Sequence, residues 1–358
     1  MNGFGWRLYV VAFSVPLLVT LMMTPIVGKV AIRLGMLDRP AAHKFHRQPT
    51  PYLGGLALAL GLVTIGSMAA SASGQLLTIL FGGIVLAVWG FVDDWVTVGP
   101  GAKLLVEIGA GVALWLAGIR AQLFGIPGLD LALTALWVVA VTNAVNLVDN
   151  MDGLSSGVSA IAAAAFFTIA ASRGNYLTAS FAAALAGANL GFLRHNYPPA
   201  SIFLGDAGTL MIGFLLAAVG LHLDLVGNNG FVRSAIPILI LGVPLFDMAL
   251  VVGSRLRGSR PVHRGGTDHS AHRLTHAGLS GRAVAATHYV AETACCGLAL
   301  WLLHARGHLV LPTVLVVAGV ALVALVVLVL GEEAHQVTPS EPEHKGAPGR
   351  RQDSEAPM

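Results

Sequence analysis

Long apolar runs alternate with short polar stretches along the whole chain, and the runs are too long to be core helices of a water-soluble domain. A helical span needs about 20 apolar residues, and segments centred near Leu18, Leu62, Val85, Leu114, Trp137, Ala164, Ala184, Phe214, Ile240, Ala299 and Val320 predict about eleven of them. The pattern therefore predicts an all-α, polytopic bundle of membrane helices over residues 1–331. Residues 332–358 are charged, proline-rich and without apolar periodicity, and read as a disordered tail.

The polar residues that interrupt the runs are not evenly spread. The densest interruption is VTNAVNLVDNMDGLSSG, Val141 to Gly157. At about 100° per residue Asn143, Asn146 and Asn150 share one narrow arc of a helix, while Asp152 points the opposite way. Gly153 and Gly157 then suggest that the helix stops or unwinds and turns Asp149 and Asp152 toward a common ligand. An N-cap for the next helix is the alternative. Polar side chains at membrane depth are costly unless they line a wet or occupied cavity, which makes this stretch a site by default.

Four further interruptions carry acids or cations. WGFVDDW ends the third span with Asp93 and Asp94, adjacent carboxylates that a bound hard cation would hold together. LGFLRHNYPPASIFLGDAGT sets Asp206 between glycines at the start of a span, where it serves either as an N-cap or as a ligand for a metal or phosphate. The loop from Gly28 to Gly55 gathers Asp38, Arg39, His43, Lys44, His46 and Arg47 before the pair Gly54–Gly55, a pair that predicts close backbone approach. SRLRGSRPVHRGGTDHSAHRLTHAGLSGR, near the C-terminal end, collects arginines and histidines around Asp268, suited to a pyrophosphate. Lys103 reads as an interfacial anchor. Asp247 is an acid inside a span, and Glu107, Glu292, His222 and His288 predict interhelical hydrogen bonds.

Charge sets the orientation. Every Lys and Arg except Arg7, Arg120, Arg173, Arg233 and Arg306 falls in alternate loops or in the C-terminal tail. The positive-inside rule then puts the N-terminus outside, the C-terminus and every motif above on the cytoplasmic face, and the protein in the plasma (inner) membrane. The first span has no small-residue cleavage site and reads as retained. The slight excess of basic residues is this loop bias and implies no nucleic-acid partner. Cys295 and Cys296 are neighbours in an apolar span, so no disulfide framework is implied. A one-sided distribution of motifs favours chemistry at one face over a transporter or flippase, which needs access from both.

The ordered set DRPAAHKFHRQPTPYLGG, FVDDW, NAVNLVDNMDGL, GFLRHNYPPASIFLGDAGT and DHSAHRL resembles the polyprenyl-phosphate N-acetylhexosamine-1-phosphate transferases, glycosyltransferase family 4, from about residue 25 to 275. These include the GlcNAc-1-phosphate transferases of surface-polysaccharide and teichoic-acid synthesis and the phospho-MurNAc-pentapeptide transferase of peptidoglycan synthesis. The resemblance implies transfer of a sugar phosphate from a UDP-N-acetylhexosamine to undecaprenyl or another polyprenyl phosphate, with release of UMP. It implies Asp93 as the group that orients or deprotonates the lipid phosphate, with Asp94 close to the metal and Asp206 the principal Mg²⁺ ligand, Mn²⁺ being the alternative. Asn146, Asp149 and Asp152 would hold the nucleotide, Phe203 would stack on the base, and Lys44, Arg47, His269, His272 and Arg273 would neutralise phosphate. Homodimers occur among such enzymes. Asn150 stands where the family commonly has glycine, Thr209 replaces a usual serine, and Ala271 replaces a histidine of the H-x-H-H pattern. The HRL ending is closer to the GlcNAc-1-phosphate branch than to the muramyl-pentapeptide enzyme, whose three-histidine block is absent.

Overall fold

The computed structural model describes residues 5–39, 48–66, 74–96, 98–225, 230–262, 266–305 and 307–331. In a bilayer the backbone must satisfy its own hydrogen bonds, and helices dominate the described residues accordingly. They are α1 Gly5–Leu34, α2 Gly54–Val63, α3 Gly74–Trp95, α4 Pro100–Leu116, α5 Pro127–Val148, α6 Leu154–Ser172 and α7 Tyr176–Asn196. There follow α8 Gly205–His222, α9 Gly230–Ile240, α10 Gly242–Arg257, α11 Ser270–His276, α12 Gly281–His304 and α13 Gly307–Gly331. A two-residue antiparallel ladder, β1 Leu37–Asp38 with β2 Thr50–Pro51, closes the loop between α1 and α2. Lys44, Arg47 and the 332–358 tail lie outside the described residues.

Local sequence explains where the helices begin. Pro100 and Pro127 open α4 and α5, where proline's missing N–H costs nothing. Asn175 and Ser280 cap α7 and α12 by accepting from Thr178 N and Ala283 N. α6, α7 and α8 are buried over most of their length and form the centre of the bundle, whereas the most apolar window of α13 has no buried residue, which puts this helix at the edge.

Eight helices among the described residues are long and apolar enough to cross a membrane, nine if α9 and α10 form one broken span. The difference from the predicted eleven has a physical basis. α2 has 10 residues and α4 has 17, each shorter than the roughly 20 that a span requires. The segment centred on Ile240 is bent by 79°. Pro237 and Pro244 flank the bend, and Glu292 Oε2 on α12 accepts the amide of Val243 at 3.0 Å. The other buried acids and histidines also bond between helices. Glu107 accepts from Asn143 Nδ2 at 2.6 Å, and His222 lies 2.8 Å from Thr178 Oγ1 and 3.1 Å from Gln75 Oε1.

Candidate active site

The site forms where the C-terminal ends of α3 and α5 meet the N-terminal ends of α4 and α8. Gly90, one turn before Asp94, lies so close to the backbone of Asp206 that a side chain there would collide with it. That approach puts the Asp94 carboxylate over the start of α8, where Oδ1 accepts from Asp206 N at 3.0 Å and Oδ2 from Ala207 N at 3.2 Å. The free amides of a helix N-terminus are thus met by an acid from another helix, as both hydrogen bonding and the helix dipole favour. The glycine pair does what its position predicts. Gly54 N and Gly55 N donate to Phe203 O and Leu204 O at 2.9 and 2.8 Å, and Gly55 backs directly onto the Gly208 backbone. Phe203 N donates to Pro51 O at 2.8 Å, so residues 203–208 are gripped from the β2–α2 side as well.

Asp206 is held by two neighbours. Lys103 Nζ bridges Asp206 Oδ2 at 2.9 Å and Asn146 Oδ1 at 3.2 Å, while Asn146 Nδ2 donates to Asp206 Oδ1 at 2.8 Å and to Thr209 Oγ1 at 2.7 Å. Three helices therefore share one polar contact. Asp93 faces Asp206 and accepts from Val98 N at 2.8 Å, which turns the chain back toward α4.

The turn after α5 unwinds at Asp149. Gly153 takes φ 75°, a conformation that favours glycine. Asn196 Oδ1 accepts its amide at 3.0 Å and Tyr289 OH donates to its carbonyl at 2.7 Å. Asp152 Oδ2 accepts from Ala200 N at 2.8 Å, tying the turn to the loop before α8. Asp149 is pushed up to about 8, first by burial and then by the carboxylates of Asp206, Asp152 and Asp94.

The loop between α10 and α11 supplies His269, and the first turn of α11 supplies His272. His269 Nδ1 lies 2.8 Å from Asp247 Oδ2. The His272 ring is 5.6 Å from that of His269, and burial, with His269 beside it, lowers His272 to about 4, so it is neutral at physiological pH. Most of the loop's described arginines are tied internally. Arg255 Nε and Arg260 Nη1 pair with Asp268 at 3.0 and 2.8 Å, and against the opposing effect of burial they hold that carboxyl below its usual range. Arg273 donates to Ser254 Oγ at 2.9 Å, to Leu328 O at 2.8 Å and to Asp268 O at 3.2 Å.

These elements enclose a cavity of about 630 Å³, within the range that takes a small ligand. Its lining includes Asp94, Asn146, Asp149, Asp152, Phe203, Asp206, His269 and His272, brought from four separate stretches of chain. Asp93 and Arg273 lie outside that lining among the described residues. The structure adds Asp38, Tyr52, Asn150 and Asn196 to the lining and Lys103 to the site. Lys103 carried no signal beyond standing at a helix start, where a lysine is ordinary, and Tyr52 none beyond standing before the glycine pair.

The donor set suits a hard cation. Asp94, Asp149, Asp152 and Asp206 share the cavity and all offer oxygen, and Mg²⁺ requires only one or two carboxylates beside substrate phosphate oxygens. No cluster of three His, Cys, Asp or Glu that could hold a metal by itself is found among the described residues.

Residues 76–224 match the family described as Glycosyl transferase family 4. Over 284 residues, 76% of this chain and 79% of the other, the chain is 35% identical to the "Probable undecaprenyl-phosphate N-acetylglucosaminyl 1-phosphate transferase" of Bacillus subtilis. It is 30% identical over 305 residues to the "Decaprenyl-phosphate N-acetylglucosaminephosphotransferase" of Mycobacterium leprae, covering 75% and 77%. It is 33% identical over 247 residues, 62% and 66%, to the "Phospho-N-acetylmuramoyl-pentapeptide-transferase" of a Synechococcus species.

Proposed function

Because this chain belongs to glycosyl transferase family 4, the polyprenyl-phosphate N-acetylhexosamine-1-phosphate transferases, we propose that it transfers GlcNAc-1-phosphate from UDP-GlcNAc to undecaprenyl or another polyprenyl phosphate and releases UMP. The observation that carries this reading is the convergence of eight polar and aromatic residues from four stretches on one acid-rich cavity at one end of a membrane bundle. The similarity to two polyprenyl-phosphate GlcNAc transferases supports this donor over the muramyl-pentapeptide nucleotide.

In this reaction an oxygen of the lipid phosphate attacks the β-phosphorus of the UDP-sugar. The bond from that phosphorus to the bridging oxygen breaks, and UMP leaves with the electron pair. Positioning and charge stabilisation dominate such transfers. Asp93 orients the lipid phosphate or takes its proton. Asn146, Asp149 and Asp152 hold the nucleotide and Phe203 stacks on its base. Lys44 and Arg47 in the basic loop offset phosphate charge, and His269 and His272 bind the phosphate by hydrogen bonds. Asp206 and Asp94 would hold Mg²⁺, or Mn²⁺, which when bound draws charge from the phosphate oxygens.

The membrane sets where the two substrates meet. An apolar groove of about 660 Å³ between α9, α10, α12 and α13, lined by residues such as Ile238, Leu245, Phe246 and Leu322, suits a polyprenyl chain. With the basic loops inside, the cavity opens to the cytoplasm, the N-terminus lies outside and the C-terminus within. The product would initiate a cell-envelope polysaccharide.

The test is UMP release by the purified protein with undecaprenyl phosphate, Mg²⁺ and either UDP-GlcNAc, UDP-GalNAc or UDP-MurNAc-pentapeptide, with Asp206→Asn alongside. Lipid-dependent release from UDP-GlcNAc, absent in the variant, is expected. Release from the pentapeptide nucleotide alone would move the enzyme to the other branch.

A further inference from the structure

Beside the acid cavity runs a chain of hydrogen bonds that none of the roles above uses. At its centre is Asp247, 1% exposed, in the second turn of α10 just past the bend. Its Oδ1 accepts the Ser270 amide at 2.7 Å and the Ser270 hydroxyl at 2.6 Å, while Oδ2 lies 2.8 Å from His269 Nδ1. Ser270 Oγ is also 2.9 Å from His288 Nε2 on α12, and His288 Nδ1 donates to Val284 O at 2.8 Å. His269 lines the acid cavity; Ser270 and His288 line the apolar groove.

A carboxylate this deep in a helical bundle is costly unless it is fully bonded and placed for a purpose. The Ser270 amide is spent on Oδ1, and its one hydroxyl proton goes to either Oδ1 or His288 Nε2. A carboxylate oxygen accepts, so at the 2.8 Å contact with Oδ2 it is Nδ1 of His269 that carries the proton. In the neutral ring the opposite nitrogen, Nε2, is then a lone pair, on a residue that lines the cavity. The other nearby groups do not compete for Asp247. His272 is neutral, and Asp268 is matched by Arg255 and Arg260.

We propose that Asp247 is a positioning residue for the transfer: it fixes His269 in the Nδ1-protonated form with Nε2 toward the cavity, and Ser270 and His288 hold Asp247 in that pose. The assignment rests on the transferase reading. Its chemical content is that a lone pair at Nε2 accepts a hydrogen bond from a phosphate or sugar hydroxyl, and that an imidazolium formed there keeps Asp247 as its counter-charge.

The test uses the full chain in lipid nanodiscs labelled with ¹⁵N-histidine, the His269 signals being those lost in His269→Ala. The wild type is expected to show Nδ1 protonated and Nε2 bare, and Asp247→Asn, whose amide can donate to Nδ1, to shift the ring toward the other tautomer. Turnover of Asp247→Asn should fall about 10²-fold, in the range of a general acid–base contribution, with little change in KM for the UDP-sugar. In a His269→Ala background the same substitution should add almost nothing. Wild-type His269 protonated at Nε2, unchanged turnover in Asp247→Asn, or full additivity with His269→Ala would each overturn the proposal. If Asp247→Asn does not fold, the wild-type tautomer still decides it, and Ser270→Ala, which removes one of the three bonds, takes its place in the kinetics. A wild type that releases no UMP yet shows the Nδ1-protonated ring would sink the transferase reading and leave the geometry of the Asp247–His269 pair standing.

Discussion

Asp94 caps the start of α8: from a different helix, its two carboxylate oxygens accept hydrogen bonds from the amides of Asp206 and Ala207, at 3.0 and 3.2 Å. The acid therefore has two jobs that separate by substitution. Asp94→Asn keeps one acceptor and the shape but removes the charge, whereas Asp94→Ala removes both acceptors. Asp94→Ala should lower stability by about 1–2 kcal/mol, the cost of a lost cap, seen as a lower thermal midpoint in detergent. Asp94→Asn should lose turnover by about 10²-fold or more while keeping most of that stability, if the charge serves the transfer. Equal thermal losses in both variants would mean that the charge, not the shape, makes the cap.

Lys103 bridges Asp206 and Asn146, and it contacts a carboxylate assigned to the metal. Lys103→Gln should reduce turnover by about 10²-fold, as loss of a preorganised charge does. The same change removes a cation that competes for Asp206, so the Mg²⁺ concentration giving half-maximal activity should fall. A rise in that concentration would mean that Lys103 helps to hold the cation site instead of competing with it. Lys103→Arg should not restore full turnover, because a planar fork cannot replace a compact ammonium between two oxygens.

How much of this was legible in the sequence depends on the kind of contact. The acids and asparagines stood out because a polar side chain in an apolar run must be explained, and the structure brings Asp94, Asn146, Asp149, Asp152 and Asp206 to one cavity. Lys103 did not stand out, since a lysine at a helix start is ordinary; only its pairing with a residue 103 positions away marks it. Span number was less legible because apolar composition does not report length: α2 stops after 10 residues, and Glu292 from α12 accepts the Val243 amide just past the bend at Leu241. The sequence likewise left open whether Asp206 was a cap or a ligand. The capping group is Asp94, which frees the Asp206 side chain for Lys103 and Asn146.

Asp149 gives a pH dependence whose sign follows from its raised value. In the folded protein it titrates at about 8, against 3.8 for an unperturbed carboxyl, so the native state binds the extra proton. Its contribution is fully present below about pH 4 and is lost as pH rises toward 8. Without divalent cation the thermal midpoint should decline over that window, and Asp149→Asn, which stays neutral, should flatten the decline. Added Mg²⁺ should flatten it too if a cation offsets the neighbouring carboxylates. A midpoint that rises between pH 4 and 8 only when Asp149 is present would contradict the assignment.

Tyr289 fixes the carbonyl of Gly153 from α12 at 2.7 Å, holding the turn that carries Asp149 and Asp152. Tyr289→Phe removes one hydrogen bond and leaves the ring packed against Gly157. The net worth of such a bond is about 0.5–1.5 kcal/mol. If the turn holds the nucleotide, that loss should appear as roughly a two- to tenfold weaker affinity for UDP, measured by calorimetry, at nearly unchanged fold.

Arg273 separates a charge that serves the substrate from one that serves the frame. As a sequence residue it belongs with the phosphate-binding cations. In the folded protein its guanidinium reaches Ser254 Oγ and the carbonyls of Asp268 and Leu328, the last near the C-terminal end of α13. A cation at the free carbonyls of a helix end is favourable there, and three acceptors at fixed angles suit the arginine fork better than lysine. Arg273→Ala should therefore lower the thermal midpoint, by an amount corresponding to about 2–3 kcal/mol for a partly buried charged network. Arg273→Lys should recover only part of it. If Arg273 instead serves the pyrophosphate, the larger effect would be on affinity for UDP, and the Lys variant would restore that affinity while leaving the midpoint unmoved.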